Sequence, residues 1–313
     1  MKAIQFLTLT ALGAALFASC SNEEELTRGS YPNDNIIRVT AGVNNMTRGN
    51  EVTTALNKDF SLNVVNSTNG NYSYANEIFS LKGGTEWSCT NKLLWENLAT
   101  PVEIMALYPA KDANTFAGVF SKESNTYGTI SYGVKPNQST RDDANDLLLY
   151  HNTSFVPKDN LEDGKLDIQF NHAFCRVDIE VTIGSEFNAT NRLAANPIQG
   201  IKVEGTKTTA EIGFASTAPF FTVTPSASGE VTSIIPTLDD FTPAASATEQ
   251  AVAKYSCIVI PQTATLKVVL HTSDMEYEWT GTQKELESGK QYTLQLNLKK
   301  SATTRNFILR ERK

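Results

Sequence analysis

The alternation of apolar and polar side chains changes phase once within the stretch Leu166-Asp167-Ile168-Gln169-Phe170-Asn171-His172-Ala173-Phe174-Cys175-Arg176-Val177-Asp178-Ile179-Glu180-Val181-Thr182-Ile183. Apolar residues occupy even positions from Leu166 to Phe170 and odd positions from Cys175 to Ile183. Successive side chains of a β-strand point to opposite faces, so a one-residue slip turns the apolar face over. The chain must therefore turn, bulge or change sheets at residues 171–173, which we take as the boundary between two domains.

The same alternation recurs on both sides of this break. Before it, the pattern predicts strands at Ile37–Val43, Phe60–Val64, Tyr72–Leu81, Val102–Tyr108, Thr129–Tyr132, Asp146–Tyr150 and Leu166–Phe170. After it, the pattern predicts strands at Cys175–Ile183, Ile201–Val203, Phe220–Val223, Val231–Ile235, Cys257–Ile260, Leu266–Leu270, Tyr277–Thr280 and Tyr292–Leu298. Turn-forming residues separate them at short intervals and helical spacing is scarce, which favours a sandwich or barrel. We expect an all-β protein with antiparallel β-sandwiches at residues 33–172 and 173–300. A single large barrel is the alternative.

The N-terminus has the features of a lipoprotein signal peptide. Residues 4–18 are mostly apolar, and the small residues Ala18 and Ser19 directly precede Cys20. A run of about fifteen apolar residues suits the core of a signal peptide and is too short to cross a bilayer. The order resembles a bacterial lipobox, so we expect residues 1–19 to be removed and Cys20 to carry lipid.

An acidic run follows the predicted lipidation site. Glu23-Glu24-Glu25 lies in an expected tether of residues 20–32, and it resembles the signal that sends lipoproteins of Bacteroides-like bacteria to the outer face of the outer membrane. The alternative is a solvent-exposed tether that carries no export signal, because runs of like charge are often only solvated segments. We predict a surface-exposed lipoprotein that the lipid on Cys20 holds in the outer membrane.

Composition and charge argue against a nucleic-acid partner and against a fold held together by disulfides. The net charge of −7 and the charged fraction of 19% argue against nucleic-acid binding, which requires a clustered basic face. Besides Cys20 the chain has Cys89, Cys175 and Cys257, and an odd number of distant thiols is no disulfide framework. We expect Cys175 and Cys257 to be buried as small hydrophobic residues; one disulfide is the alternative.

The pattern of polar residues indicates neither catalysis nor a metal centre. His151, His172 and His271 have no second ligand at metal-binding spacing. The acidic run at residues 142–146 lacks the glycine and the distal glutamate of an EF-hand loop. We expect no enzyme activity, no cofactor and no metal, and we expect His172 to be a structural histidine at the phase break.

Several motifs, taken in order, resemble those of the fimbrillin family, the subunits of lipoprotein-derived pili. They cover roughly residues 20–300 and comprise Thr47-Arg48-Gly49, Trp87, Trp95, Ala106-Leu107-Tyr108-Pro109, Pro136-Asn137-Gln138, Asp146-Leu147-Leu148-Leu149-Tyr150, residues 166–173 and residues 289–298. The resemblance implies two transthyretin-like β-sandwich domains in tandem and a structural role in a surface fimbria that serves adhesion. It also implies other pilus subunits as partners; it does not name an adhesion target.

The resemblance further implies assembly by strand exchange. A protease cuts after an arginine that follows the first strand, here Arg48, and Arg28 is the alternative site. The cut removes the first strand, which buries Ile37, Val39, Ala41 and Val43, and a strand from the next subunit fills the groove. Within the C-terminal tail, residues 301–313, the donor strand would use Phe307 and Leu309; a frayed terminus is the alternative. Whether the subunit forms shaft, anchor or tip stays open.

A second hypothesis comes from a different class of protein. Surface glycan-binding lipoproteins also carry β-sandwich modules behind a lipidated cysteine, and they present exposed aromatic side chains to sugars. Trp87, Trp95 and Trp279 are the candidates for such a platform. Exposed, coplanar tryptophans would favour this hypothesis, whereas a first strand held as a removable edge element would favour the pilus subunit.

Overall fold

The computed structural model describes residues 34–44, 56–83, 86–110, 120–121, 126–188, 191, 194–215, 221–300 and 308–311. The strands before the phase break are β1 (Val39–Val43), β2 (Phe60–Val65), β3 (Tyr74–Gly83), β4 (Glu86–Ser88), β5 (Val102–Tyr108), β6 (Phe120–Ser121), β7 (Thr126–Tyr127), β8 (Thr129–Gly133), β9 (Leu148–Phe155) and β10 (Leu166–His172). The strands after it are β11 (Cys175–Ile183), β12 (Gly200–Glu204), β13 (Thr209–Phe214), β14 (Phe221–Pro225), β15 (Thr237–Thr242), β16 (Ala251–Val259), β17 (Thr263–His271), β18 (Glu276–Glu285), β19 (Gln291–Leu298) and β20 (Ile308–Glu311). One four-residue helix in the described part, α1 (Pro157–Asn160), precedes β10. The prediction of an all-β protein is confirmed.

Seven of the strands close into a barrel. Their order is β1-β10-β9-β5-β2-β3-β4, and β4 pairs with β1 to complete the ring. The alternating apolar residues of these strands point inward because burying them removes apolar surface from water. They form the first core, which includes Phe60, Ile104, Leu148, Ile168 and Phe170.

Three further sheets enclose a second core. Their strand orders are β15-β16-β11-β19-β20, β12-β17-β18 and β14-β13-β8. Strand β11 is at the centre of the five-stranded sheet, and its odd-numbered residues from Cys175 to Ile183 are fully buried. The second core gathers these residues with Val203, Ile212 and Val268 from the other two sheets.

The chain passes from the first core to the second at the predicted phase break. Leu166, Ile168 and Phe170 are buried in the barrel, and β10 ends at His172. After Ala173 and Phe174 the chain continues as β11 in the five-stranded sheet. The change of sheet accounts for the change of phase, because each strand then presents its apolar face to its own core.

The structure departs from the expected architecture in two respects. Strand β1 runs parallel to β10, and β11 runs parallel to β19, so the expectation of purely antiparallel sheets was wrong for these two pairs. Alternation along one strand carries no information on the direction of its neighbour, and the long connections allow either direction. In addition, β8 pairs with β13, and Ile130 belongs to the second core, so a cut of the sequence at residue 172 does not separate the two cores completely.

Among the described residues, the structure contains no helix of the length and apolar character that a bilayer span requires.

Candidate functional site

The first strand fills a groove in the barrel wall between β10 and β4, which we call the β1 groove. Ile37 and Val39 are buried, with 5% and 3% of their surface exposed, and belong to the first core. Ala41 and Val43 are half-buried and pack against the same core. All four residues that the sequence predicts for this strand therefore face inward, although Ile37 precedes the regular part of β1.

The strand is bonded unequally on its two sides. On one side, five consecutive residues from Val39 to Val43 pair with β10. On the other side, Val39 alone pairs with β4, opposite Trp87. Just before the strand, the Ile37 amide donates to the Leu93 carbonyl at 2.9 Å. Strand β1 thus has a full ladder to β10 and only scattered bonds to β4, and the barrel is most weakly closed between β1 and β4.

An aromatic cluster forms the floor beside this strand. The Phe60 ring lies 4.8 Å from Trp87, 5.3 Å from Phe79 and 5.6 Å from Phe170, measured between ring centroids. These rings belong to β2, β3, β4 and β10, not to β1. They pack on one another in stacked, tilted and edge-on geometries, so the floor of the β1 groove is built from side chains of other strands.

The outward face of the strand is polar and fixes its register. The Thr40 hydroxyl donates to an Asp167 carboxylate oxygen on β10 at 2.9 Å. The Arg38 guanidinium donates to the Asp34 carboxylate, which lowers the pKa of that carboxyl to about 2. A one-residue slip would bring these polar groups to the apolar floor and expose Val39. Alternation along the sequence gives Asp167 no partner, and its place opposite Thr40 is visible only once the strands are paired.

The C-terminal strand β20 lies at the edge of the five-stranded sheet. It pairs antiparallel with β19 over four residues, with Leu309 opposite Leu294. Phe307, the other residue predicted for a donor strand, lies outside the described residues. The predicted donor segment is therefore placed on its own chain's sheet, as a short strand with one paired side.

Motif residues from distant parts of the sequence meet where β10 passes into β11. His172 contacts the Asp146 carboxylate, with its Nδ1 atom 2.9 Å from an oxygen. The Ala173 amide donates to the Leu147 carbonyl at 2.8 Å, and the Gly289 amide donates to the Phe174 carbonyl at 2.9 Å. His172 is 7% exposed. It is thus a bonded structural histidine at the phase break, as the sequence analysis predicts.

Gln138, in another predicted motif, closes an edge of the second core's sheet. Its side-chain amide donates to the Ile258 carbonyl at 2.9 Å and accepts from the Ile258 amide at 2.8 Å. The side chain thereby imitates a neighbouring strand beside β16. Backbone groups at a sheet edge need such partners when they are buried, which explains the choice of glutamine at this position.

The acidic run at residues 142–146 forms ion pairs within the protein. Asp142, in the acidic run, pairs with Lys135 and Lys58, and the hydrogen bond from Lys135 holds the pKa of its carboxyl well below the usual range. No group of three or more His, Cys, Asp or Glu side chains in the described ranges is arranged to hold a metal ion.

The cysteines of the second core are buried and unpaired. Cys175 and Cys257 are free thiols at 0% and 3% exposure. Burial raises the pKa of both, that of Cys257 to about 12. The expectation of buried small hydrophobic residues is confirmed, and the alternative of a disulfide between these two was wrong.

The tryptophans proposed for a sugar platform are built into the cores. Trp87 and Trp95 are 5% and 3% exposed, and Trp95 stacks on Phe155 with ring centroids 5.7 Å apart. Trp279 is partly buried and packs against the second core. Because Trp87 and Trp95 present almost no surface to solvent, these two candidates do not form the exposed platform that the glycan-binding hypothesis requires.

A comparison with protein families identifies the chain. The model of the fimbrillin-like family matches residues 38–308. The chain belongs to the fimbrillin-like family. The match begins just before β1 and ends at Ile308, the first residue of β20, so it includes β1 and every strand from β2 to β19. A search of curated proteins found no match to this fimbrillin-like chain.

Solved structures share the fold of this fimbrillin-like protein. A candidate cell adhesion protein from Bacteroides ovatus is 14% identical with a TM-score of 0.59, over 90% of this chain and 96% of the other. A second candidate cell adhesion protein, from Bacteroides uniformis, is 13% identical with a TM-score of 0.57, over 90% and 99%. At such low identity the likeness establishes the common fold and nothing finer.

Some predicted residues of this fimbrillin-like protein lie outside the described ranges. These are the lipidation site Cys20 and the processing sites Arg28 and Arg48. The described part ends at Asn44 and resumes at Leu56, so Arg48 falls in the connection between β1 and β2. Its position in the sequence agrees with a cut that would separate β1 from the rest of the barrel.

Proposed function

We propose that the protein is a structural subunit of a surface fimbria and that it assembles by exchange of its first strand. Family membership supports the fimbrial role, and the observation that carries the mechanism is the β1 groove. Strand β1 is the first strand in the described part of the chain, and it has one full ladder and one sparse side. A cut in the connection after it would leave β1 attached to the barrel by non-covalent contacts alone.

Loss of β1 would leave a groove that a new strand can fill. Burial of Ile37 and of Val39 contributes about 1.5–3 kcal/mol each, and the remaining side chains and ladder hydrogen bonds add to this. The sum is a large part of the 5–15 kcal/mol of a typical domain. An open row of backbone groups on β10 beside an apolar floor favours addition of another strand.

The chain's own ends supply the other parts of this mechanism. We infer that the protein is made as a lipoprotein precursor with lipid on Cys20, reaches the outer membrane and is cut after Arg48, with Arg28 as the alternative. A cut after Arg28 would shorten the tether and leave β1 in place, whereas a cut after Arg48 frees it. An uncut subunit would stay anchored by its lipid.

The tail around Phe307 and Leu309 is the donor in this proposal. Strand β20 pairs with β19 over four residues, one fewer than the five that join β1 to β10. As a short strand with one paired side, it has fewer bonds to break before it can reach another subunit. The other partners would be pilus subunits of the same or a different kind.

We further propose that the two cores are the tandem transthyretin-like modules implied by the family resemblance. Most strands of each core belong to separate sheets, although β5 and β9 of the barrel also contribute Met105, Leu107 and Leu149 to the second core. The chain passes between the cores at residues 172–175. Strand β8 would then be a segment of the first module's sequence that completes the second module.

Cleavage after Arg48 tests the proposal. Purified protein, residues 20–313, carrying Arg305→Lys so that the tail with Phe307 and Leu309 is kept, is treated with an arginine-specific protease, and its N-terminus is sequenced. We expect loss of residues 20–48, followed by ladders that resist mild denaturant, because each joint restores a buried strand. Arg48→Ala should stay monomeric under the same protease, and Arg28→Ala should form ladders like the unchanged protein.

Two results would separate the parts of the mechanism. Truncation after Leu298 should abolish the ladders if the tail is the donor, and intact ladders would show that the donor lies elsewhere. Cleaved protein that loses residues 20–48 and still remains monomeric and folded would contradict strand exchange. For the anchor, incorporation of labelled palmitate into Cys20→Ala would refute the lipoprotein precursor.

A further inference from the structure

The two parallel strand pairs of the fold are connected to one another in series. Strand β1 runs beside β10 over five residues, and β11 runs beside β19 over eight, from Arg176–Gln291 to Ile183–Leu298. Strands β10 and β11 are joined by two residues, Ala173 and Phe174. An almost continuous extended segment, residues 166–183, therefore links the first strand of the barrel to the last long strand of the second core.

The link between β10 and β11 is held on both sides. Ala173 and Phe174 are fully buried. The Ala173 amide is bonded to Leu147 at 2.8 Å, and the Phe174 carbonyl is bonded to Gly289 at 2.9 Å. His172 adds its contact to Asp146. A pull along the segment therefore meets a fixed joint and not a free hinge.

The entry into β1 and the exit from β19 lie at opposite extremities of this arrangement, although β20 then returns beside β19 with Glu311 opposite Tyr292. The N-terminal tether enters β1 at the end that lies beside Leu166. The C-terminal tail leaves β19 after Leu298, which lies opposite Ile183. In both pairs the two strands are then pulled along their length from opposite ends. All bonds of a ladder share the load in this geometry, whereas a strand pulled back from its near end loses them one at a time.

We propose that this protein is built to carry tension between its N-terminal tether and the end of β19 at Leu298, in shear across β1–β10 and β11–β19 in series. The property goes beyond the proposed fimbrial role and does not depend on strand exchange, because it is a feature of the intact monomer. Antiparallel strands predominate elsewhere in the described sheets. The evenly spaced bonds of a parallel ladder suit a load distributed along its length.

Single-molecule pulling tests the proposal on the full chain of residues 20–313, without lipid. One variant carries Lys299→Cys and is held by Cys20 and residue 299, which loads both parallel pairs in shear. The matched variant carries Cys20→Ser, Asn44→Cys and Lys299→Cys, so that β1 is peeled from its C-terminal end. Both variants contain Cys89→Ser. The thiols of Cys175 and Cys257 are buried and should not accept handles in the folded protein.

The force of the first rupture decides between the outcomes. We expect it to be several times higher for the pull from Cys20 than for the pull from residue 44, because forced unfolding reports the barrier along the pulled direction. Equal forces, or a lower force for the pull from Cys20, would overturn the proposal.

A second attachment point guards against a local effect of the handle. Equal urea midpoints of the two variants would show that Asn44→Cys does not weaken the fold. If the midpoints differ, Asn50→Cys replaces it, at a position farther along the chain from β1, and should give the same low force. A high force there would count against the proposal. Because the pulled protein is a monomer, a negative result would leave strand exchange untouched, and failure of the ladders would leave this result untouched.

Discussion

Replacing Ile37 by alanine measures how much the barrel depends on its first strand. The side chain is 5% exposed and packs in the first core, and such a substitution costs about 2–5 kcal/mol through lost burial and the cavity that remains. Ile36 is a matched control because it is the same residue type, one position earlier. It is half-buried and lines a small surface cavity with Trp95 and Leu98, so Ile36→Ala should cost less than half as much.

Urea unfolding followed by tryptophan fluorescence measures both costs. In a Trp279→Phe background the signal comes from Trp87 and Trp95, which both lie in the first core. With a slope of about 1–3 kcal/mol per molar urea, Ile37→Ala should lower the midpoint by about 1 M or more. Ile36→Ala should lower it by much less.

Two outcomes would refute this reasoning. Equal shifts for Ile36→Ala and Ile37→Ala would mean that the strand does not present alternate side chains to the barrel interior. A negligible shift for Ile37→Ala would mean that the first core is stable without the strand. In that case its removal would leave no drive for a donated strand to bind, and the mechanism proposed for fimbrial assembly would lose its physical basis.

Three further predictions concern the rest of the molecule. Gln138→Ala should cost about 1–3 kcal/mol in urea unfolding because it leaves the half-buried backbone amide and carbonyl of Ile258 without these partners, whereas Asn137→Ala, at an exposed neighbour whose side chain accepts only from Ser139, should cost less. Burial raises the pKa of Cys175 and Cys257. The stability that the two protonated thiols contribute is therefore fully present below the unfolded thiol pKa of about 8.5, and it should be lost as the pH rises above that value. Labelling of these thiols should require unfolding. The pKa of Asp142 is lowered mainly by Lys135. The stability that the ionised carboxyl contributes is therefore present above the unfolded carboxyl pKa of about 3.9, and it is lost as the pH falls below that value. Asp142→Asn should make the stability less dependent on pH below about 3.9 in acid unfolding curves.

Alternation of apolar residues predicted most of the strands because a strand with one buried face carries an apolar residue at every second position. The expected strand at Val102–Tyr108 is found at those residues, and the change of phase after Phe170 marks the passage between cores. Strand β13 was missed since Ala210 and Gly213 weaken its apolar signal, although Ala210 is fully buried. Strand β15 was missed because it is an edge strand with adjacent aspartates.

The predicted strand at Val231–Ile235 was wrong for a related reason. The segment forms only isolated bridges, to Lys207, Val203 and Asn137, and Val231 is 63% exposed. β-Branched residues favour extended backbone, but a strand also needs a continuous partner. Partners are set by tertiary packing, which a single sequence does not reveal, and the same limit hid the parallel pairing of β1 with β10.

In the mechanism proposed above, the position of β1 limits what its exchange would change in the rest of the fold. In the barrel it lies beside β10, whose backbone continues directly into the second core. A strand with two complete ladders would leave two long unpaired sheet edges when it departed. Strand β1 leaves one complete edge on β10 and an aromatic floor built from Phe60, Phe79, Trp87 and Phe170 of other strands. An empty β1 groove would therefore have a high free energy, and the open edge of β10 could pair with a new strand. A polymer made by strand exchange requires both properties at each joint between subunits.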